Sequence, residues 1–116
     1  MTSNDLLSLA SPQGITLDPC LLKDYPIGTY FYAVHHQSIA EPLTEPLANR
    51  IHYILTEKPA NERKTRLAAL RPVLDQKACA KARATCDKAM LAFWNREYPG
   101  HPAWGENGLV FPKKEA

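Results

Sequence analysis

The clearest hydrophobic pattern in the chain lies between Thr44 and Pro59. Apolar side chains recur there at steps of three and four residues, which is the spacing of one face of an α-helix. Thr44 is a suitable N-cap, a proline is tolerated in the first helical turn, and Pro59 ends the pattern. The predicted apolar face of this helix consists of Leu47, Ile51, Ile54 and Leu55. The residues predicted to turn away from that face are Asn49, Arg50 and Glu57.

A shorter helix is predicted to follow this one. Asn61 can cap its start, because asparagine side chains accept hydrogen bonds from the first turn of a helix. Pro72 must kink or end it, since proline lacks the backbone N–H that a helix interior requires. Its predicted buried side consists of Leu67, Leu70 and Leu74.

The longest predicted helix spans residues 76–97. Asp75 can cap its start, and the Pro99-Gly100 pair ends it. One face carries mostly small side chains at alternating steps of three and four residues, and small side chains let a second helix approach closely. We therefore predict that this small-residue face packs against the Leu47–Leu55 face. It consists of Cys79, Ala82, Cys86, Ala89, Met90 and Phe93.

Residues 29–40 admit two interpretations. The three aromatic residues at 30–32 and the nearby Val34 are typical of a strand. The positions from Phe31 to Ile39 nonetheless follow the spacing of one helix face. We predict a helix for this segment and keep the strand as the alternative.

Good helix formers dominate the apolar residues, with 15 Ala and 14 Leu against 5 Ile and 3 Val. Together with the periodic segments, this predicts an all-α fold, a small bundle of three or four helices with a long C-terminal helix. We expect a single domain over residues 1–116. It would comprise an irregular N-terminal segment (1–28), a helical core (29–98) and an irregular tail (99–116).

A chain of 116 residues is long enough for one core, which excludes a large multidomain enzyme. Apolar residues make up 45% and charged residues 22%, as in globular rather than disordered proteins. No apolar run approaches the roughly 18 residues that span a bilayer, and residues 1–10 lack the basic region of a signal peptide. We therefore expect a cytoplasmic protein without membrane contact, whose three cysteines are reduced thiols.

The net charge of +2 conceals a strong segregation of charge along the chain. Residues 1–57 carry two basic and six acidic side chains, a net charge of −4, whereas residues 58–96 carry ten basic and three acidic ones, a net charge of +7. Lys77, Lys81 and Lys88 recur at helical spacing opposite the small-residue face. Such a stripe can neutralise phosphates or meet an acidic protein surface. The same lysines can equally keep the exposed face of a long helix hydrated, or neutralise the negative charge of the acidic half of the chain within the fold.

Two arginines of the preceding predicted helix, three residues apart, can add a second basic pair to this stripe. Arginine can hold a phosphate in a bidentate fork, whereas lysine acts as a mobile point charge. No aromatic residues alternate with the stripe, so stacking on single-stranded bases is not supported. The residues predicted to bind a partner or nucleic acid are Arg63, Arg66, Lys77, Lys81 and Lys88.

The sequence contains no pattern typical of an enzyme or a metal protein. It has no His-x-x-x-His or Cys-x-x-Cys pair, and the adjacent His35 and His36 would diverge by about 100° on a helix. Cys20 follows a proline in a loop but lacks the flanking pattern of a nucleophile, and the glycines form no phosphate-binding loop. We therefore expect no catalytic residue, metal site, cofactor or small-molecule substrate.

Several short motifs occur together over roughly residues 31–114. They are Leu43-Thr44-Glu45-Pro46, Arg50-Ile51, Tyr53-Ile54, Lys58-Pro59, Glu62, Arg66-Leu67, Leu70-Arg71-Pro72-Val73, Asp87-Lys88-Ala89, Trp104-Gly105 and Phe111-Pro112. With these motifs the chain resembles a family of short, uncharacterised bacterial proteins in which a helix of Asp-Lys-Ala repeats follows the central run. No activity is known for that family, so the resemblance implies no catalytic residues.

The chain departs from that family at the repeats. Cys86 stands where the family has a tyrosine, and only one full repeat is present, with Ala80-Lys81-Ala82 as a degraded second copy. The resemblance implies that residues 43–73 form a defined unit and that the long helix is a variable extension. A helix of variable length suits a spacer or an interaction surface better than an active site.

These observations predict a small, non-enzymatic interaction or regulatory protein that acts through its long helix. Its expected partner is another protein or a second copy of the chain in a homodimer. The alternative is a nucleic-acid-binding module that uses the basic residues of segment 58–96.

Overall fold

The computed structural model describes residues 2–35, 38–83, 87–101, 104–105 and 108–111 of the chain. Within these ranges helices combine with two antiparallel sheets, so the prediction of an all-α fold is wrong. The helices are α1 (Ser3–Ala10), α2 (Leu47–Glu57), α3 (Ala60–Ala69), α4 (Gln76–Arg83) and α5 (Asp87–Glu97). The strands are β1 (Tyr30–Tyr32), β2 (Ala40–Pro42), β3 (Arg71–Pro72), β4 (Trp104–Gly105) and β5 (Gly108–Leu109).

The run of three aromatic residues forms β1, the central strand of the larger sheet, whose order is β2-β1-β3. Phe31 and Tyr32 are both fully buried, but they belong to different apolar clusters. Successive side chains of a strand point to opposite faces, so this short strand buries large aromatic rings in two clusters at once. A helix would direct its apolar residues to a single face. The helical prediction is therefore wrong for the described part of residues 29–40, and the strand alternative is confirmed at Tyr30–Tyr32.

The neighbours of β1 pair with it in antiparallel register. Tyr32 lies opposite Ala40 of β2 and Arg71 of β3. Pro72 lies in the edge strand β3, where a missing backbone N–H is tolerated. Ala33 follows β1 with a φ of 62°, and this left-handed backbone turns the chain toward β2.

The core consists of two apolar clusters. The first joins α1, α2 and α3 around Phe31 and contains the whole Leu47–Leu55 face. The second joins α4, α5 and the terminal hairpin β4–β5 around Tyr32, and contains Cys79 and Met90. Among the described members of the small-residue face, Cys79 and Met90 are thus buried in the cluster of the sheet and hairpin and not in that of α2, so the predicted packing of these two faces is wrong. β1 contributes side chains to both clusters and so holds them together.

The N-terminal segment begins with helix α1. Thr2 and Asp5 form a reciprocal capping box at the start of α1, in which each side chain accepts a backbone hydrogen bond from the other residue. Leu6 and Ala10 then lie buried in the first cluster. Two short 3₁₀ turns follow, at Ser11–Gln13 and Pro19–Leu22.

Two described helices, α4 and α5, lie within the range of the predicted long helix. Cys86 lies outside the described residues. Asp75 caps α4 as predicted, because its Oδ1 accepts the N–H of Ala78 at 3.1 Å. Glu97, at the end of α5, accepts the hydroxyl of Tyr32 at 2.6 Å and the backbone N–H of Asp75 at 2.9 Å. One carboxylate therefore joins the end of α5 to the start of α4 and to β1.

Helix α3 ends at Ala69, ahead of the proline that was predicted to stop it. Leu67 and Leu70 are buried as predicted, but Leu74 is 65% exposed because it lies beyond the helix and loses the helical spacing. Within the described ranges, no helix has both the length and the apolar character needed to cross a membrane.

Candidate anion-binding site

Three of the five predicted binding residues lie on the surface. Lys77 and Lys81 are exposed on α4, and Lys88 is exposed on α5. They are therefore placed where a lysine can contribute attraction to a polyanion. Their expected contribution is that of surface charge.

Arg63, in contrast, is held by the protein itself. Its Nε donates to the carbonyl oxygen of Lys58 at 2.7 Å, and its Nη1 donates to Oε1 of Gln13, also at 2.7 Å. Its Nη2 reaches the carbonyl oxygen of Thr56 at 3.4 Å. The side chain thus connects the turn after α1 to the junction of α2 and α3. Because its guanidinium N–H groups already donate to the protein, they are not available to a ligand.

Arg66 is buried beside a second arginine that the sequence reasoning assigned to solvent. Arg66 on α3 is 4% exposed and Arg50 on α2 is 8% exposed. Burial lowers the pKa of Arg50, and the neighbouring charge of Arg66 lowers it further. The pKa of Lys58 is lowered by burial and then by both arginines. Three cations therefore share one region, and Arg50 and Arg66 are called the arginine pair below.

The arginine pair has donors without acceptors in the described part of the chain. Nε and Nη2 of Arg50 and Nε of Arg66 are buried and make no hydrogen bond there. Each buried donor that is left unpaired costs about 1–3 kcal/mol, and more when it is charged. Buried polar groups are nearly always paired in native proteins, so three such donors on two arginines call for a physical explanation.

Aromatic rings cover the flat faces of both guanidinium groups. Cζ of Arg50 lies 5.2 Å from the ring centre of Tyr53, and Cζ of Arg66 lies 4.7 Å from that of Phe111. Nζ of Lys58 lies 5.2 Å from the Tyr53 ring as well. A cation–π contact engages the face of a guanidinium, whereas its N–H donors lie in the plane. The rings therefore stabilise the charges without satisfying the donors.

The nearby carboxylates leave the arginine pair incompletely neutralised. Glu62 approaches Nη2 of Arg66 to 3.6 Å, an ion pair longer than a good hydrogen bond. Glu41 and Glu45 raise the pKa of Arg50, but less than burial and Arg66 lower it. Glu41 is also bonded to Nδ1 of His35. These three carboxylates therefore offset the positive charge of the region in part.

No family model matches the chain, and no curated protein or solved structure is significantly similar to it. The resemblance to short bacterial proteins therefore stays a prediction.

The sequence pattern predicts that Arg50 turns away from the apolar face of α2, but Arg50 is buried. It follows Leu47 by three residues and precedes Ile54 by four, so it borders the buried stripe of α2. The aliphatic stem of arginine readily covers such an apolar border. This spacing is the feature of the sequence that indicates a buried Arg50. The sequence does not indicate that Arg66 lies near Arg50, because their proximity depends on how α2 and α3 pack.

The described cysteines do not provide a second reactive site. Burial raises the pKa of the Cys20 thiol to about 11, and a hydrogen bond with Asp18 adds to the shift. Burial likewise raises the pKa of Cys79 to about 11. Both thiols are therefore protonated near neutral pH, and a protonated thiol is a weak nucleophile. Among the described residues, no three His, Cys, Asp or Glu side chains converge as metal ligands do.

Proposed function

We propose that this protein is a non-enzymatic binding module of the cytoplasm that captures an anionic group of its partner at the arginine pair. The observation that supports this most strongly is the set of three buried N–H donors on Arg50 and Arg66 that lack acceptors among the described residues. An anion would satisfy these donors and offset the repulsion between the two guanidinium groups.

The burial of two members of the small-residue face favours this location over the long helix. Cys79 and Met90 are each no more than 2% exposed within a single chain. Because the protein itself covers these two side chains, the proposal places the interaction at the arginine pair instead.

Inorganic phosphate is expected to raise the melting temperature of the protein at constant ionic strength. A ligand that binds only the folded state adds about 2.7 kcal/mol of stability at 100 times its Kd, which corresponds to several degrees for a domain of this size. Arg66→Gln should abolish the increase, because it removes a donor and a charge from the pair. Thermal unfolding followed by circular dichroism measures the shift.

Lys77→Gln is the matched control, since it removes a positive charge from an exposed position on α4. Phosphate also stabilises proteins generally by exclusion from their surfaces, and that effect should be the same in every variant. Equal shifts in the wild type, Arg66→Gln and Lys77→Gln would contradict site-specific binding.

A second candidate function is nucleic-acid binding, favoured by the exposed Lys77, Lys81 and Lys88 in the segment of net charge +7. Replacing the three lysines with glutamine is expected to leave the fold intact, because all three are on the surface. It should reduce the salt dependence of binding to random duplex DNA by about three phosphate contacts. Gel-shift series over a range of salt concentrations provide the measurement.

Two results would exclude this second function. One is the absence of any retardation at about 50 mM salt, where phosphate contacts are strong. The other is unfolding of the triple variant, which would show that the lysines balance the acidic half of the chain within the fold.

A further inference from the structure

Residues 14–18 join the two 3₁₀ turns and run along the surface of the molecule. Gly14 ends the first turn with a φ of 70°, a left-handed backbone that suits glycine. Just before it, Nε2 of Gln13 donates to the carbonyl oxygen of Leu55 on α2 at 3.1 Å. Leu17, further along the segment, is buried in the first cluster. The segment is therefore anchored on both sides, and the surface beside it is formed by the protein alone.

Two cavities lie next to each other along this segment, since residues 14–16 line both of them. The first has a volume of about 450 Å³ and is lined by the apolar side chains of Leu7 and Leu17. Leu7 is 41% exposed on α1, so part of its apolar surface is open to a ligand. The second has a volume of about 260 Å³ and is lined by Lys64 and Arg71. These two spaces, one apolar and one cationic, are called the paired cavities below.

The second of the paired cavities is positively charged. Lys64 is exposed on α3 and takes part in none of the ion pairs found among the described residues. Nη1 of Arg71 already donates to two backbone carbonyl oxygens, but Nη2 lies 3.7 Å from Oδ2 of Asp18, which is longer than a good hydrogen bond. The described residues that line the paired cavities include no Asp or Glu. A carboxylate is therefore the complementary group that a ligand can bring.

We propose that the paired cavities bind an extended segment of a partner protein, in which a large apolar residue and an acidic residue stand two positions apart. Alternate side chains of an extended chain point to the same side, about 6.5 to 7 Å apart, which suits two cavities that adjoin. A ligand with charge alone would leave Leu7 in water, and an apolar one would leave Lys64 without a partner. Neither Arg50 nor Arg66 is among the described lining residues, so this proposal and the arginine pair can fail independently.

A series of short blocked peptides tests the two halves of the site on the wild-type protein. The reference peptide is acetyl-Ala-Leu-Ala-Glu-Ala-amide, and the two others replace its Leu with Ala or its Glu with Gln. In isotope-labelled protein, the backbone amide signals of residues 14–16 should shift with the reference peptide and saturate with a Kd below about 1 mM. The Gln peptide should bind about two- to fivefold more weakly, as expected for a partly exposed ion pair. The Ala peptide should bind at least about fivefold more weakly, because it buries less apolar area.

Three results of this series would overturn the proposal. Equal binding of the Glu and Gln peptides would show that the cationic cavity does not bind the carboxylate. Equal binding of the Leu and Ala peptides would show that the apolar cavity stays empty. Unchanged signals of residues 14–16 with all three peptides would show that the paired cavities are not a peptide site.

Lys64→Gln places the carboxylate in the complex. The variant should bind the Glu peptide about two- to fivefold more weakly and bind the Gln peptide as the wild type does, because only the first pair of partners interacts. Lys77→Gln is the matched control, since it removes a positive charge from an exposed position on α4. The same loss in both variants, or the same loss for both peptides, would overturn the assignment of Lys64.

Leu7→Ala places the apolar side chain. It should weaken binding of the reference peptide at least about twofold, because it removes part of the apolar wall that the peptide covers. Leu74→Ala is the matched control, since Leu74 is 65% exposed and does not line the paired cavities. Unchanged affinity in Leu7→Ala would overturn the apolar half of the site.

Dilution of the free protein tests a second copy of the chain as the occupant. If a partner protein is the natural ligand, the amide signals of residues 14–16 should stay in place as the concentration of the free protein changes. Signals that move with protein concentration would show that the paired cavities bind a second copy, and would overturn the assignment to a partner.

Discussion

An Ile51→Asp variant is expected not to fold. Ile51 is completely buried on α2 in the first apolar cluster, between Phe31 of the sheet and the neighbouring helices. The substitution removes a large apolar side chain, which costs about 2–5 kcal/mol, and places a carboxylate where no partner is available. The free energy of unfolding of domains of this kind is only about 5–15 kcal/mol, so the combined loss is close to the entire stability of the protein.

Far-ultraviolet circular dichroism and urea unfolding would measure this loss. Asn49→Asp is the matched control, because it introduces the same side chain at an exposed position of the same helix. It should change stability by less than about 0.5 kcal/mol. An Ile51→Asp variant with the melting temperature of the wild type would mean that this face of α2 is not in the core.

A Trp94→Ala variant is expected to lose about 3–5 kcal/mol of stability, the usual cost of removing a large buried aromatic side chain. Trp94 is 1% exposed at the centre of the second cluster. Its ring centre lies 4.9 Å from that of Tyr32 and 5.8 Å from that of Trp104, both in edge-to-face contact. Such pairs add about 0.5–1.5 kcal/mol each beyond the apolar area that they bury.

Urea denaturation with and without the substitution measures the change, and Asn95→Ala provides the control at the exposed neighbouring position. A loss below about 1 kcal/mol would indicate a loosely packed second cluster. Because the terminal hairpin packs on Trp94 through Trp104, limited proteolysis should also cleave the tail of Trp94→Ala faster than that of the wild type.

The helices that the sequence predicted correctly are those with strong local signals. The apolar stripe of α2, the end of α3 before Pro72 and the cap of α4 at Asp75 all follow from spacing and capping within a few residues. The capping box at Thr2 is an equally local signal, whereas the sequence pattern indicates Asn4 as the cap of a short helix there.

The sheet could not be predicted because it depends on long-range packing. Phe31 and Tyr32 satisfy both a helical and a strand pattern, and the choice is made by two separate clusters that bury them on opposite sides. Strand preference reflects such surroundings more than the backbone itself. The edge strand β3 consists of only two residues, and no sequence pattern identifies a strand of that length.

Several arginines of the basic segment serve the fold, whereas Lys77, Lys81 and Lys88 lie on the surface. Arg63, Arg71 and Arg83 each donate to backbone carbonyl oxygens, at 2.7–3.1 Å for their best-placed atoms. Arginine carries several donors on a rigid plane and suits this role, whereas lysine remains hydrated. The charge segregation of the sequence is thus partly structural. The candidate site was anticipated at Arg66 alone, and the unpaired donors emerge only when Arg50 packs beside it.

The binding of an anion by the arginine pair is tested most directly by nuclear magnetic resonance of the arginine side chains. In isotope-labelled protein the Nε–H signals of Arg50 and Arg66 can be observed individually and assigned with the Arg50→Lys and Arg66→Lys variants. On titration with methyl phosphate, both signals should shift together and saturate at one Kd, while the signal of Arg63, which already donates to Lys58, stays in place. Unchanged signals of Arg50 and Arg66 at saturating methyl phosphate would contradict the proposed site.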